Sequence, residues 1–390
     1  MNVRELAEKY ESYIIERRRY YHTCPELSEH EVETAKSLKA DLEAMGVEVE
    51  MCKNCNGVVG TIKGGKPGKT VALRADIDAL SVVEETGLPF ASKNEGAMHA
   101  CGHDNHMAML LGGAKILTEI KDQLPGTVKI LFQPAEEVAT GANAMIAEGV
   151  LEGVDAIYGA HIWGDFDAPL IDASAGNRMA CCDGFTIEVE GVSTHGSSPH
   201  LGTDGIVAAA AIIQELQSYV SRNNNPLNPC VVTVGTINGG QRFNIIANKV
   251  VLEGTVRTFS RETLATIQED MQRIVSNTAA AFGATANVTK YSHMTPPLIN
   301  DNEDLNKIAQ DAVIKLYGEE ALGHLPTMMG SEDYAFFMEK VPGIYCFLGS
   351  RDAEHHYINH HEKYDVPEDV LKRGAAMYAQ FAFDFLEANA

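Results

Sequence analysis

The densest group of potential ligands in this sequence is the stretch Met98-His99-Ala100-Cys101-Gly102-His103-Asp104-Asn105-His106. It crowds three histidines, a cysteine and an aspartate into nine positions. Thiolate and imidazole are the ligands that suit zinc and its neighbours. Gly102 separates Cys101 from His103 and lets the chain turn tightly, so both side chains can aim at one point. Alone, a buried cysteine is usually a small hydrophobe and a buried histidine a polar core residue. Crowding is what turns the set toward a metal. Asn105 to Glu119, with apolar residues at Met107, Leu110, Leu111, Ala114 and Leu117, reads as a helix. The ligands therefore sit at a helix entrance, where the dipole favours a thiolate.

Other elements must bring further donors to the same place. Thr70 to Ala75 is a mostly apolar, central strand running into Asp76-Ile77-Asp78. Carboxylates at i and i+2 on a strand point to one side, at the strand end where open α/β sheets keep their chemistry. Val128 to Phe132 is a second apolar strand, leading into Gln133-Pro134-Ala135-Glu136-Glu137. In extended chain those adjacent glutamates face opposite sides, one toward a metal and one toward substrate. Ala156 to His161 is a third strand, expected to end in His161. Three strand ends and one helix start thus converge on Asp78, Glu136, Glu137, His161, Cys101 and His103. Helices are expected at Val3–His22, Glu31–Met45 (stopped by Gly46), Glu303–Tyr317, Asp333–Glu339 and Pro367–Leu386. The loop before the last helix carries four more histidines, His355, His356, His360 and His361.

The pattern changes near Cys182. Strands at 185–189, 231–237, 249–257 and 285–291 alternate with helices at 203–222 and 262–282 in the order β-α-β-β-α-β, that of a split βαβ, ferredoxin-like unit. The expected architecture is α/β: a catalytic domain with a central mixed sheet, in two segments at 1–182 and 294–390, interrupted by a ferredoxin-like α+β domain at 183–293. The length of 390 residues fits about two domains.

Composition narrows the partners. A formal net charge of -23 repels nucleic acid and anionic membranes. No apolar run reaches the length of a membrane span, and the charged amphipathic start, from Met1, has no apolar signal region. The eight cysteines then read as reduced thiols of a cytoplasmic protein. The Cys52-x-x-Cys55 pair has neither a second CxxC nor the strand-to-helix context of a redox motif, and reads as a surface turn.

In chain order, LRADIDAL at Leu73–Leu80, HACGHDNHMA at His99–Ala108, FQPAEE at Phe132–Glu137, GAHIW at Gly159–Trp163, Ser193-Thr194-His195 with Pro199-His200, and MGSEDYAFF at Met329–Phe337 resemble one family. It is that of di-metal aminoacylase/carboxypeptidase-type amidohydrolases, in the branch holding auxin amino-acid hydrolases, hippurate hydrolases and N-acetyl-diaminopimelate deacetylases. The resemblance covers essentially the whole chain. It implies two divalent metals, zinc, manganese, cobalt or nickel, held by Cys101 as a bridging thiolate with His103, Glu137, His161 and a late histidine. The late ligand aligns with His360, with His361 as the alternative, in a loop lacking the family's following proline. It further implies Glu136 as general base, Asp78 orienting His103, and a lid domain that dimerises and sends His195 to a neighbouring active site to stabilise the oxyanion. Asn244, Arg257 and His200 would hold substrate. The family's Asn-Val-Ile-Pro is Asn244-Ile245-Ile246-Ala247 here, and its Gly-Gly-His is Ser193-Thr194-His195. The implied substrate is a small N-acyl (acetyl, aryl or indole-acetyl) amino acid, or a dipeptide on the same machinery. Two rivals stand beside it: a thiol hydrolase using Cys101, and a catalytically silent binding protein of the same fold.

Overall fold

The computed structural model describes residues 2–390, so Met1 of the expected amphipathic N-terminus lies outside the described residues. The chain forms two compact units. The first comprises residues through Gly176 with Ile299–Pro326 and Asp333–Ala390, and the second Asn177–Leu298 with Thr327–Glu332.

The first unit opens with helices α1 (Val3–Lys9), α2 (Glu11–Thr23) and α3 (Val32–Ala44). The single helix expected at Val3–His22 is thus two, meeting at Tyr10. Asn2 caps α1 through its side chain. Strands β1 (Glu48–Met51), β2 (Val58–Lys63) and β3 (Lys66–Asp76) follow, then α4 (His103–Glu119), β4 (Pro125–Gln133), α5 (Gly141–Ala147), β5 (Ala156–Asp167) and β6 (Ile171–Asp172). A short strand, β7 (Gly176–Met179), leads on.

The second unit contains β8 (Cys182–Glu190), α6 (Gly205–Ser218), β9 (Cys230–Gly239), β10 (Lys249–Thr258), α7 (Arg261–Ala281) and β11 (Thr285–Thr295). Its four strands lie in the order β11-β8-β10-β9, all antiparallel. That is the order a β-α-β-β-α-β chain takes when each helix crosses over one strand. The inner face of the sheet packs Phe185, Ile187, Val189, Val250 and Leu252 against Ala208, Ile212, Ile267 and Met271 of the two helices. After the short strand β12 (Leu298–Asn300), the first unit resumes with α8 (Glu303–Tyr317), α9 (Ala335–Met338), β13 (Gly343–Arg351) and α10 (Leu371–Ala388).

The sheet of the first unit has the order β1-β2-β4-β3-β5-β13-β6 and is mixed. Strands β4, β3, β5 and β13 are parallel neighbours, whereas β2 is antiparallel to β4. Helix α4 is buried on nearly every face, as a helix apolar all round should be. Its glycines permit this. A Cβ on Gly112 would stand 2.7 Å from Ile14 Cγ1, and one on Gly113 2.8 Å from Tyr378 Cβ. Helices α2 and α10 therefore press directly on the α4 backbone. Gly113→Val is expected to destabilise the protein at the upper end of the about 1–3 kcal/mol that overpacking costs. The check is a lower denaturant midpoint at unchanged slope.

Candidate metal centre

The loop ahead of α4 delivers the central ligands. Gly102 caps that helix at φ 95, a left-handed conformation that favours glycine. A Cβ there would also stand 2.7 Å from Ile162 Cγ2. Cys101 precedes this turn and His103 opens the helix. The backbone is set from the other side by Asn359, whose Nδ2 donates to the carbonyl of Cys101 at 2.9 Å, while Gly164 N–H donates to its Oδ1 at 2.8 Å.

His103 and His161 are each oriented through one ring nitrogen so that the other is presented. His103 Nδ1 faces the carbonyl of Asp78 at 2.9 Å and its carboxylate at 3.2 Å. His103 Nε2 is buried with no hydrogen-bond partner. His161 Nδ1 donates to the carbonyl of Ile162 at 2.6 Å, leaving Nε2 at 3.4 Å from Cys101 Sγ. Such arrangements fix the tautomer of metal-binding imidazoles. His360, at φ 71, donates its N–H to Ala100 O at 2.7 Å and sets Nε2 3.3 Å from Cys101 Sγ. His361 turns away: its Nδ1 accepts from Lys363 N and its ring stacks on Tyr357.

His161 does not end its strand as expected. It lies inside β5, which continues to Asp167 because β13 still pairs there. Pairing with β3 stops at Gly159, so the flank of His161 on that side is open to the site. The glutamates are not in extended chain either. β4 ends at Gln133, Ala135 takes φ 53, and residues 136–139 form a turn. Both carboxylates consequently turn inward, with oxygens within 4.8 Å of a ring nitrogen of His103. Glu136 Oε1 accepts from Asp333 N–H at 3.3 Å.

The donor atoms fall into overlapping groups, each spanning no more than 4.8 Å: Cys101–His103–His161, Cys101–Glu137–His360, and His103–Glu136–Glu137. Two triads share the Cys101 sulfur. The fit to a pair of cations rests on this sharing and on two orphaned buried atoms, His103 Nε2 and Glu137 Oε1. His99, the first histidine of the cluster, joins none of these groups, and burial lowers its pKa to about 4.

The electrostatics call for positive charge. Burial, then Glu137 and Glu136, push the Cys101 thiol well above its ordinary range. Burial opposes protonation of His103, but Asp76, Asp78 and Glu137 outweigh it and raise its pKa to about 10. Burial holds the Glu137 carboxyl up at about 7 despite His103. Burial, His106 and His103 keep His161 far below 6.5, hence neutral and able to ligate.

Other residues support the ligands from behind. His106 Nδ1 meets Asp76 at 2.5 Å and its Nε2 accepts from Ile162 N at 2.9 Å, which anchors the strand beside His161. Asp76 is also paired with Arg74 at 2.6 Å, so this buried trio is structural. Glu31, fully buried, accepts the N–H of Ala135 at 2.8 Å and so holds the turn before Glu136. Of these, His106 and Asp76 stand within the stretches that residue type and spacing single out, whereas nothing in the sequence marks Glu31.

Of the remaining expected site residues, His195, His200, Asn244 and Arg257 belong to the second unit. There Ser197 N–H donates to His195 Nδ1, which places the His195 proton on Nε2. His195 bridges to Ile245, next to Asn244. Arg257 donates to Ser331 Oγ at 3.0 Å, and His200 is exposed.

An α/β scaffold presenting two donor triads that share one sulfur, with a glutamate pair beside them, is the donor set of a two-metal centre. The family described as Peptidase family M20/M25/M40 matches residues 72–384, and the chain belongs to it. It is 40% identical over 379 residues to N-acetyl-L-cysteine deacetylase of Bacillus subtilis (strain 168), covering 97% of this chain and 89% of that protein. It is equally 40% identical over 390 residues to Thermostable carboxypeptidase 1 of Saccharolobus solfataricus, covering 98% and 97%. The crystal structure of the Bacillus subtilis YXEP protein, titled a dinuclear metal binding peptidase from the M20 family, matches with TM-score 0.86 at 35% identity, over 97% of this chain and 99% of that one.

Behind the ligands, Asp104 accepts from Arg18 Nε at 2.9 Å and from His22 Nδ1 at 2.8 Å, all three side chains being buried. Burial would raise the Asp104 pKa, but Arg18 and His22 outweigh it and hold it well below the usual range. A carboxylate with a depressed folded pKa stabilises fully above its unfolded value, about 3.9, and loses that stabilisation as pH falls through the folded one. Asp104→Asn is therefore expected to cost about 3–5 kcal/mol at pH 7, the range for breaking a buried pair. Denaturant titrations should show the gap from wild type narrowing only below about pH 4.

Proposed function

We propose that the protein hydrolyses N-acyl amino acids to a carboxylic acid and a free amino acid. The carrying observation is the pair of donor triads sharing Cys101, with Glu136 beside both Glu137 and His103. In this reading Cys101, His103, Glu137, His161 and His360 hold two divalent metals, and the thiolate favours zinc over manganese, cobalt or nickel. Bound there, the ions would polarise the amide carbonyl and lower the pKa of a water toward about 7.

The chain's own groups do the rest. Glu136 takes the proton of the attacking water and returns it to the departing amine. Asp78 keeps the His103 ring in the orientation its hydrogen bonds fix. His195, with its proton on Nε2, is suited to donate to the developing oxyanion. Asn244, Arg257 and His200 hold the amino-acid half. The substrate class is supported by the names of both relatives, since a deacetylase and a carboxypeptidase both release an amino acid from an amide.

We assign residues 183–293 the role of lid and dimerisation domain, with His195 serving a neighbouring copy. Strand β9 is the last in its sheet, and Phe243 is 94% and Leu227 84% exposed. Its open edge and these side chains support a homodimer. The described cysteines are all unpaired, in keeping with a cytoplasmic setting. No described helix is long and apolar enough to cross a membrane.

Acetyl, benzoyl and indole-acetyl amino acids and dipeptides, assayed with Zn²⁺ or Mn²⁺ and after chelation, should show amino-acid release that chelation removes. Release that survives chelation but not iodoacetamide would point to Cys101 as nucleophile instead. Glu136→Gln should slow turnover about 10²–10⁴-fold while the metal content measured by mass spectrometry stays unchanged. Metal loss in that variant would exchange the roles of Glu136 and Glu137. Sedimentation should give a dimer that Ile237→Lys, on the exposed edge strand, shifts toward monomer.

A further inference from the structure

The Cys52-x-x-Cys55 pair has a place in the structure that no hydrolytic role explains. It occupies the loop joining β1 to β2, closed by Cys52 N–H donating to Gly57 O at 2.9 Å. Both thiols are half-buried and free of disulfide, separated by two residues within one closed loop. Cys55 lines a cavity of about 320 Å³ together with Glu29, Glu31, Asn54, Pro134 and Ala135. One wall of that cavity is thus the turn that carries Glu136 and Glu137.

Hydrogen bonds tie the loop to that turn. Asn54 N–H donates to Glu148 Oε1 at 2.8 Å, at the end of α5. Asn56 Nδ2 donates to Glu31 Oε2 at 3.0 Å, and the other oxygen of Glu31 accepts from Ala135 N–H at 2.8 Å. A single buried carboxylate therefore connects the cysteine loop to the residue before Glu136.

We propose that Cys52 and Cys55 form a reversible thiol–disulfide switch, oxidised by a small neutral or cationic disulfide entering this cavity, and that the Pro134–Gly141 turn reads its state. Cys55 is the attacking sulfur. The hydrogen bond from Cys52 and the N–H of Gly57 bring its pKa to about 7 against the effect of burial, whereas the same contact and burial raise that of Cys52. The Cys55 thiolate attacks one sulfur of the small disulfide RSSR, forming Cys55–S–SR and releasing RS⁻. Cys52 then attacks the Cys55 sulfur, breaking its bond to SR. The second RS⁻ departs, and the proton of Cys52 passes to a released thiolate. Two protein thiols are oxidised and one RSSR is reduced to two thiols. The sulfurs close to about 2.05 Å, which pulls Asn54 and Asn56 away from Glu148 and Glu31. Glu29, Glu31 and Glu148 around the loop repel an anionic oxidant.

The test uses the full chain treated with cystamine at neutral pH. Peptide mapping should show the 48–63 segment losing two hydrogen atoms, reversed by dithiothreitol. Cys52→Ser should stop at a mixed disulfide on Cys55, and Cys55→Ser should leave Cys52 reacting at least about 10-fold more slowly. Anionic oxidised glutathione should react several-fold more slowly than cystamine. A mixed disulfide that persists on the wild type, or equal reactivity of the two single variants, overturns the pair as a switch. Hydrogen exchange of residues 134–141 should speed up several-fold on oxidation, and unchanged exchange overturns the coupling. A several-fold loss of amide hydrolysis on oxidation, absent in Cys52→Ser, rests on the function proposed above. The mapping and exchange results stand even if that function fails.

Discussion

The structure depends on paying for acid buried in one place. Asp76, Asp78, Glu137 and the Cys101 thiol gather at the buried start of α4, where uncompensated charge costs several kcal/mol per group. The protein answers in layers. Arg74 and His106 neutralise Asp76, and Asp78 is taken up by His103, Ser28 Oγ and the N–H of Glu137. What remains after this pairing is the Cys101 sulfur and a Glu137 oxygen gathered with ring nitrogens of His103, His161 and His360, a donor set suited to cations. The same compensation holds the helices together, since Arg18 and His22 of α2 reach Asp104 on α4. Folding and metal binding are thereby linked through one set of charges.

Much of this could be read from the sequence because its signals are local. The ends of α8, the stop at Gly46 and the β-α-β-β-α-β order follow from periodicity and caps, and the structure places them at the expected positions. The misreadings come from backbone that residue type does not announce. Ala135 adopts a left-handed φ that alanine rarely takes, and this turns both glutamates inward. His161 lies inside a strand because a neighbour 182 or more residues later in the chain extends its pairing, as Phe347 lies opposite His161. The choice of His360 over His361 likewise hangs on a φ of 71 and one hydrogen bond to Ala100. Glu31 gives no signal at all, because its role is a contact across distant segments.

The supporting network also explains why the donor geometry is narrow. The presented nitrogens of His103 and His161 are each fixed by a bond from the other side of the ring, and His360 is set by its backbone. Rigid placement of this kind lets ligands meet an ion without rearrangement.

Strand β5 has a further consequence, in the order in which the site comes into being. Its partner β13, and His360 after it, follow the whole second unit in the sequence. The triad of Cys101, His103 and His161 is drawn entirely from the first segment, whereas the one completed by His360 waits for the end of synthesis. Domains fold as units, and this one is closed only by β13 and α10, so the donors of the first segment are made long before the fold that holds them is complete. The shared sulfur is then the point on which the late half is assembled.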